Sequence, residues 1–171
     1  MPVYPAIIED VPELVALINS AYRGEASKKG WTTEAYLLEG ELRTDIPTLT
    51  SLMNNPKAVV LKYLTTDNVI SGSVYLEKKE RGLYLGMLSV SPQLQARGIG
   101  KQLMFAAEHF AKENNCRSIF MNVISVRQEL IVWYEKLQYQ KTGETKPLPA
   151  GTRFGAPTQP LEFAIMEKIF A

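Results

Sequence analysis

The sequence predicts a single α/β domain, a mixed sheet of about seven strands with helices on both faces. Three observations carry that expectation. The 171 residues suffice to bury about two-thirds of the unfolded surface around one core. A composition of 46% hydrophobic and 22% charged residues is that of an ordinary globular protein. The periodic segments run strand, helices, three strands, helix, strand, helix, two strands. Hairpins followed by a strand–helix–strand crossover require both antiparallel and parallel neighbours.

Residues 3–8 read as a short strand. A helix over 11–22 follows, with Asp10 as N-cap, Glu13 completing a capping box, and apolar residues at 11, 14, 15, 18 and 21. The polar, glycine-bounded stretch 23–30 reads as a loop. Thr32 or Thr33 can cap a helix reaching about residue 39, and residues 47–55 allow another short one. Strands over 58–64, 69–77 and 83–90 meander through turns at 65–68 and near Arg81-Gly82. A helix over 98–114, a strand over 118–123 and a helix over 128–137 come next. Strands over 139–146 and 161–170, joined by a loop rich in Pro and Gly, complete the order.

Composition excludes several classes of function. A net charge of +1 gives no electrostatic reason for a nucleic acid or an anionic membrane as partner. No apolar run approaches the roughly 20 residues of a membrane helix, and no basic segment followed by an apolar core marks a leader, so the expected compartment is the cytoplasm. Cys116 is the single cysteine and reads as a small core residue; with one His and one Cys, no metal site is expected. His109, mid-helix, reads as a solvated side chain.

The segment Leu83-Tyr-Leu-Gly-Met-Leu-Ser-Val90 is apolar almost throughout, which predicts a strand buried on both faces. Gly86 within it marks a bulge or the close approach of another backbone. Pro92 ends it. The next helix opens on Arg97-Gly98-Ile99-Gly100-Lys101. A helix start leaves four N–H groups unpaired and carries about half a positive charge. Two glycines uncover those donors, and Arg97 and Lys101 add charge, so the turn can grip a phosphate. A tight turn that merely uses glycine explains the spacing equally well. It matches neither the P-loop nor the dinucleotide fingerprint.

The stretch Gln95-Ala-Arg-Gly-Ile-Gly100 resembles the Q/R-x-x-G-x-G/A signature of the GCN5-related N-acetyltransferases. Leu130-Ile-Val-Trp-Tyr-Glu-Lys-Leu-Gln-Tyr139 is similar to that family's later Tyr-Glu-Lys-Leu-Gly-Phe segment, with Gln138 and Tyr139 in place of Gly-Phe. The element order fits as well. The resemblance implies one acetyltransferase domain over 1–171 with a mostly antiparallel sheet, an acceptor-side segment over about 23–56 and an acetyl-CoA-binding core over about 83–138. It implies that Gln95, Ala96, Arg97, Gly98, Ile99, Gly100 and Lys101 hold the pyrophosphate of acetyl-CoA. It also places the backbone of Leu88, Ser89 and Val90 along the pantetheine. Arg127 stands where many members have a cofactor-contacting Asn.

The implied reaction moves an acetyl group from acetyl-CoA to a primary amine of a small molecule by direct attack. Thioester aminolysis needs a neutral amine and a departing thiolate, and a lysine-like amine near pKa 10.4 must lose a proton first. Tyr134 occupies the position of the family's acid; a packing aromatic in the stripe Leu130, Ile131, Tyr134, Leu137 is the other reading. Glu77, at a strand end, is the candidate base, against an exposed turn. Residues 30–45 hold Trp31, Tyr36 and Arg43, either an acceptor lid in which Arg43 pairs a carboxylate or ordinary surface. Arg153 and Phe154 could line the same cleft or a homodimer contact. A protein or peptide acetyltransferase and a non-catalytic acyl-CoA-binding module are the alternatives; the module would not need Tyr134.

Overall fold

The structure is a computed structural model and describes residues 2–170; the ends of the predicted unit, Met1 and Ala171, lie outside the described residues. The chain runs β1 (Val3–Pro5), α1 (Val11–Tyr22), α2 (Gly24–Ser27), β2 (Leu38–Glu39), α3 (Ile46–Met53), β3 (Ala58–Leu64), β4 (Ile70–Lys78) and β5 (Leu83–Val90). It continues through α4 (Ile99–Glu113), β6 (Ser118–Ile124), α5 (Gln128–Lys136), β7 (Gln140–Pro147), β8 (Ala156–Pro157) and β9 (Glu162–Ile169). Seven strands form one sheet in the order β1-β3-β4-β5-β6-β9-β7, and β2 with β8 forms a separate two-stranded ladder. Only β5 and β6 are parallel in the large sheet.

Two apolar clusters flank that sheet. One joins Leu61, Val74, Leu76, Leu83 and Leu85 to the α4 stripe Ile99, Leu103, Met104, Ala107, Ala111 and to Ile131 and Tyr134 of α5. Helical spacing puts that α4 stripe on one face. The other joins Val11, Leu14, Leu17 and Ile18 of α1 and Leu49 of α3 to Val60, Ile70, Tyr75 and Met87. Each large side chain so buried is worth about 1.5–3 kcal/mol relative to exposure.

The feature that makes a site is the junction of β5 and β6. They pair only through Leu83↔Ile119 and Tyr84↔Phe120. At that end a Cβ on Gly82 would lie 2.8 Å from the Ser118 carbonyl oxygen, so glycine lets the two backbones close. Past Tyr84 the pairing stops and a wedge opens. Within β5, Ser73 of β4 faces Ser89 while Tyr75 faces Gly86, so β5 carries one extra residue, and Met87 there takes φ +51°. The bulge shifts the alternation: Leu83 and Leu85 share the α4-side cluster with Leu88 and Val90, while Met87 turns to α1.

Several expectations need correction. β5 is not buried on both faces; buried and half-buried residues alternate, because Tyr84, Gly86, Leu88 and Val90 border cavities. β1 is only three residues, and residues 8–10 form a 3₁₀ turn. Asp10 does not cap α1: its carboxylate accepts from Ile7 N and pairs with Lys62, while Glu13 accepts from Ile70 N. Residues 24–27 are helical. The helix expected over 32–39 is absent: the Thr33 hydroxyl accepts from Ala35 N as well as bonding Ser27, but only a single turn follows before Leu38 and Glu39 pair with β8, and the Thr32 hydroxyl accepts from Arg127. The chain instead turns at Glu34 and forms β2.

Candidate active site

Two cavities meet at the wedge. The first, about 410 Å³, lies between β5 and β6 and is walled by Tyr22, Arg23, Glu34, Arg43, Asn122, Arg127, Tyr134 and the loop 148–155. The second, about 270 Å³, runs over the start of α4 and is lined by Trp31, Thr32, Val90, residues 95–96 and 98–101, and Trp133. Tyr22, Leu88, Arg127, Leu130 and Tyr134 border both. Together they have the size and mixed lining of a small-ligand site.

The second cavity is built on backbone. Ala96 takes φ +64° and Gly98 φ +83°, a left-handed conformation that glycine adopts without strain. A Cβ on Gly98 would meet nothing within 4 Å, and one on Gly100 would first meet Trp133 at 3.4 Å. Among the described residues, no N–H from Ala96 to Lys101 finds a protein acceptor, and α4 has no side-chain cap. Six successive donors are therefore left without a protein acceptor at the positive end of a helix of fifteen residues. Such a row accommodates a diphosphate.

The other loop residues divide by role. Gln95 turns its side chain inward: Oε1 accepts from Trp31 N at 2.9 Å and Nε2 donates to Val90 O at 3.1 Å. It staples residues 30–31 to the loop rather than reaching for a ligand. Lys101 lines the cavity, while Arg97 is exposed and lines neither. Ile99 packs into the core with its amide still free. Leu88 and Val90 border the cavity; the buried Ser89 hydroxyl donates to Met87 O, so only its backbone could serve.

Tyr134 is buried at 4% exposure and packs edge-on against Trp133 and Tyr139. Among the described residues its hydroxyl has no hydrogen-bond partner, yet the residue borders both cavities. Burial, then the neighbouring Tyr22, pushes its pKa well above the ordinary phenol value, so it holds its proton across all working pH.

The first cavity is built on side chains from distant segments. Glu34 accepts from Arg23 Nη2 at 3.0 Å and from Arg127 Nη1 at 2.9 Å, both ion pairs being buried. Arg127 also donates to the Thr32 hydroxyl at 2.7 Å, and Arg23 to Leu42 O at 3.2 Å. Asn19 of α1 accepts from the N–H groups of Arg43 and Thr44, fixing Arg43 above the Tyr22 ring. Tyr22 is pushed up to about 12 by burial and then by Glu34, so it too stays neutral. Arg153 donates to Asp45, tying the loop across the cavity mouth. Thr48 and Arg153 hold the Asp45 carboxyl down to about 2.

Of Trp31, Tyr36 and Arg43, expected on the acceptor side, the structure brings only Arg43 there. Trp31 sits over the other cavity, 6.4 Å from Trp133. Tyr36 is 66% exposed beneath Lys28 and lines neither cavity. Glu77 lines neither; its carboxylate accepts from Tyr75 and pairs with Lys79 on the far side of the bulge. Arg127 borders both cavities with its Nη atoms on Glu34 and Thr32. Phe154 lines the first cavity and Arg153 is engaged within the chain. Cys116 packs beside the α4 cluster, and His109 pairs with Glu113 on the surface. Tyr22, Arg23, Asn122 and Trp133 were not anticipated. Trp133 adjoins Tyr134 in a recognisable segment, but nothing local marks the others.

Comparison with known proteins places these features. The acetyltransferase (GNAT) family profile matches residues 12–139. A protein of Bacillus anthracis described as a streptothricin acetyltransferase, solved with acetyl-coenzyme A, is 23% identical with TM-score 0.59, over 69% of this chain and 65% of its own length. A nourseothricin acetyltransferase is 17% identical with TM-score 0.70, over 99% and 98% of the two chains. The ribosomal-protein-alanine N-acetyltransferase of Brucella melitensis is 16% identical with TM-score 0.73, over 99% and 100%. No curated protein matches in sequence. Among the described residues, no helix is long and apolar enough to cross a membrane.

Proposed function

The chain belongs to the acetyltransferase (GNAT) family, and on that premise we propose that it acetylates the primary amine of a small molecule in the cytoplasm, by direct attack on acetyl-CoA with Tyr134 as general acid. One observation carries this reading. A protonated phenol without a protein partner stands where a donor-lined cavity meets an acceptor-sized one.

The residues suit the co-substrate. The free amides from Ala96 to Lys101 fit a diphosphate, with the Cβ position of Gly98 open before them. The edge of β5 beyond Tyr84, left unpaired by β6, offers ladder groups to the amides of a pantetheine arm. Acetyl-CoA, when bound, supplies a carbonyl carbon joined to a thiolate leaving group.

Tyr134 gives its proton to the departing sulfur as the carbon–sulfur bond breaks and the carbon–nitrogen bond forms. The phenol's raised pKa makes that transfer uphill against a solvated thiolate. The same dry surroundings also raise the affinity of the sulfur for a proton, which narrows the gap. Among the described residues, Glu34 is the one carboxylate lining the cavities, and both its oxygens are committed to guanidiniums. The ammonium proton of the amine therefore passes to water before attack, and the proton its nitrogen sheds as the amide forms returns through water to the Tyr134 phenolate. The tie from Arg153 to Asp45 across the mouth favours a small acceptor over a protein segment.

The test is acetyl-CoA consumption by the full chain, read as free thiol, against amino acids, polyamines, aminoglycosides and peptides. Turnover with a small amine is expected. Turnover with peptides alone would make it a peptide acetyltransferase, and tight acetyl-CoA binding without transfer to any amine would make it a binding module.

A further inference from the structure

We propose that the acceptor is an amino acid-like molecule, with a carboxylate beside the amine and an apolar body, and that Arg43 together with the buried pair Arg23 and Arg127 selects it; this rests on the acetyltransferase reading above. The first cavity is lined by three guanidiniums, Arg23, Arg43 and Arg127, whose sole carboxylate partner there is Glu34. A fourth arginine on its wall, Arg153, is neutralised by Asp45. Two positive charges are left over. No phenolate offsets them, since Tyr22 and Tyr134 are neutral.

One of these two charges is held out of water. Arg23 is 4% exposed and Arg127 5%, and the Nε of each is buried without a hydrogen-bond partner. Buried guanidinium N–H groups without acceptors are costly unless something supplies them. A carboxylate is the planar, two-oxygen partner that such forks fit. Arg43 has no ion-pair partner among the described residues, and Asn19 fixes its backbone against α1. The complementary group is present too: Asn122 Oδ1, on the β6 wall, is buried without a donor, as an amine N–H would supply. Between these poles the wall is apolar, with Leu38, Leu85, Met121, Leu130, Phe154 and Phe163. Cation and acceptor poles across an apolar cavity of about 410 Å³ describe a small zwitterion with a hydrophobic side chain.

The same cations could instead meet a carboxylate on the acyl group, and the experiment separates the two sources. Leucine, methionine and phenylalanine are each compared with their carboxamides, using acetyl-CoA and succinyl-CoA, with rates referred to the free-amine fraction. The acids are expected to be preferred by about 10²- to 10⁴-fold in kcat/KM, since the amides leave buried donors unmet. Arg43→Gln should abolish most of that preference by raising KM for the acids, and Arg43→Lys should restore part of it. Arg43 is half-exposed, so the variants test recognition rather than folding. Equal use of acids and amides would overturn the inference while leaving the acetyltransferase reading intact. Amides used better with succinyl-CoA than with acetyl-CoA would assign the cations to the acyl group and overturn it as well. Acetyl-CoA binding with no acceptor used at all would instead remove the reading beneath it.

Discussion

The two cavities that meet at Tyr134 are built in opposite ways. The one over α4 is made of main chain: consecutive amides from Ala96 to Lys101, aimed by a left-handed glycine and left without acceptors. The one between β5 and β6 is made of side chains from α1, from the segment 34–43, from β6, from the start of α5 and from the loop 148–155. A backbone site presents the same donors whatever side chains surround it, so it suits an invariant group such as a diphosphate. A side-chain site can be respecified by single substitutions. That is the expected division between a shared co-substrate and a particular acceptor.

Substitutions at the junction and in each cavity test that division, and the largest effect belongs to the junction. Tyr134→Phe should lower kcat by roughly 10- to 10⁴-fold with little change in acetyl-CoA affinity, read by thiol release and calorimetry. Unchanged kcat would remove the phenol from the chemistry. Next, Glu34→Gln leaves Arg23 and Arg127 buried without their counter-charge and should destabilise the fold by about 3–5 kcal/mol in a urea melt. A neutral result would mean that the triad is not a structural unit. Gly98→Ala imposes φ +83° on a residue with a Cβ, a strain of about 1–3 kcal/mol. It should weaken acetyl-CoA binding by about 5- to 100-fold with acceptor KM unaltered. An equal effect on both substrates would blur the distinction between the cavities.

The smallest effect concerns the tie across the mouth. Asp45 has a folded pKa of about 2, below its usual 3.8. Its contribution is therefore fully present above the unfolded value and is lost as pH falls through the folded one. Melts of Asp45→Asn and the parent chain should differ at pH 6 and converge as the pH approaches 2. A difference that persists there would show that the ion pair is not its source.

How much of this was legible in sequence follows the same line. The core strands β3 and β5 fall where their apolar runs and flanking turns place them, because a short apolar run bounded by turn residues marks a strand. The glycine turn was legible because its unpaired amides belong to consecutive residues. The helix expected over 32–39 stops after one turn because Leu38 and Glu39 pair with β8 and Glu34 is held by Arg23 and Arg127, partners that lie elsewhere in the chain. For the same reason Arg23 and Asn122 carried no signal: each acquires meaning only beside residues far along the chain. Tyr36 and Glu77 had suitable chemistry, but the backbone points them elsewhere.

The central claim is that unpaired amides at the head of α4 hold the diphosphate and so set the thioester beside Tyr134. Amide nitrogen–proton spectra of the full chain, titrated with acetyl-CoA and with S-acetylpantetheine, test it most directly. Large shifts at Gly98, Ile99, Gly100 and Lys101 with acetyl-CoA, absent with the truncated thioester, are the predicted result. Saturable acetyl-CoA binding that leaves those four amides unmoved would contradict it.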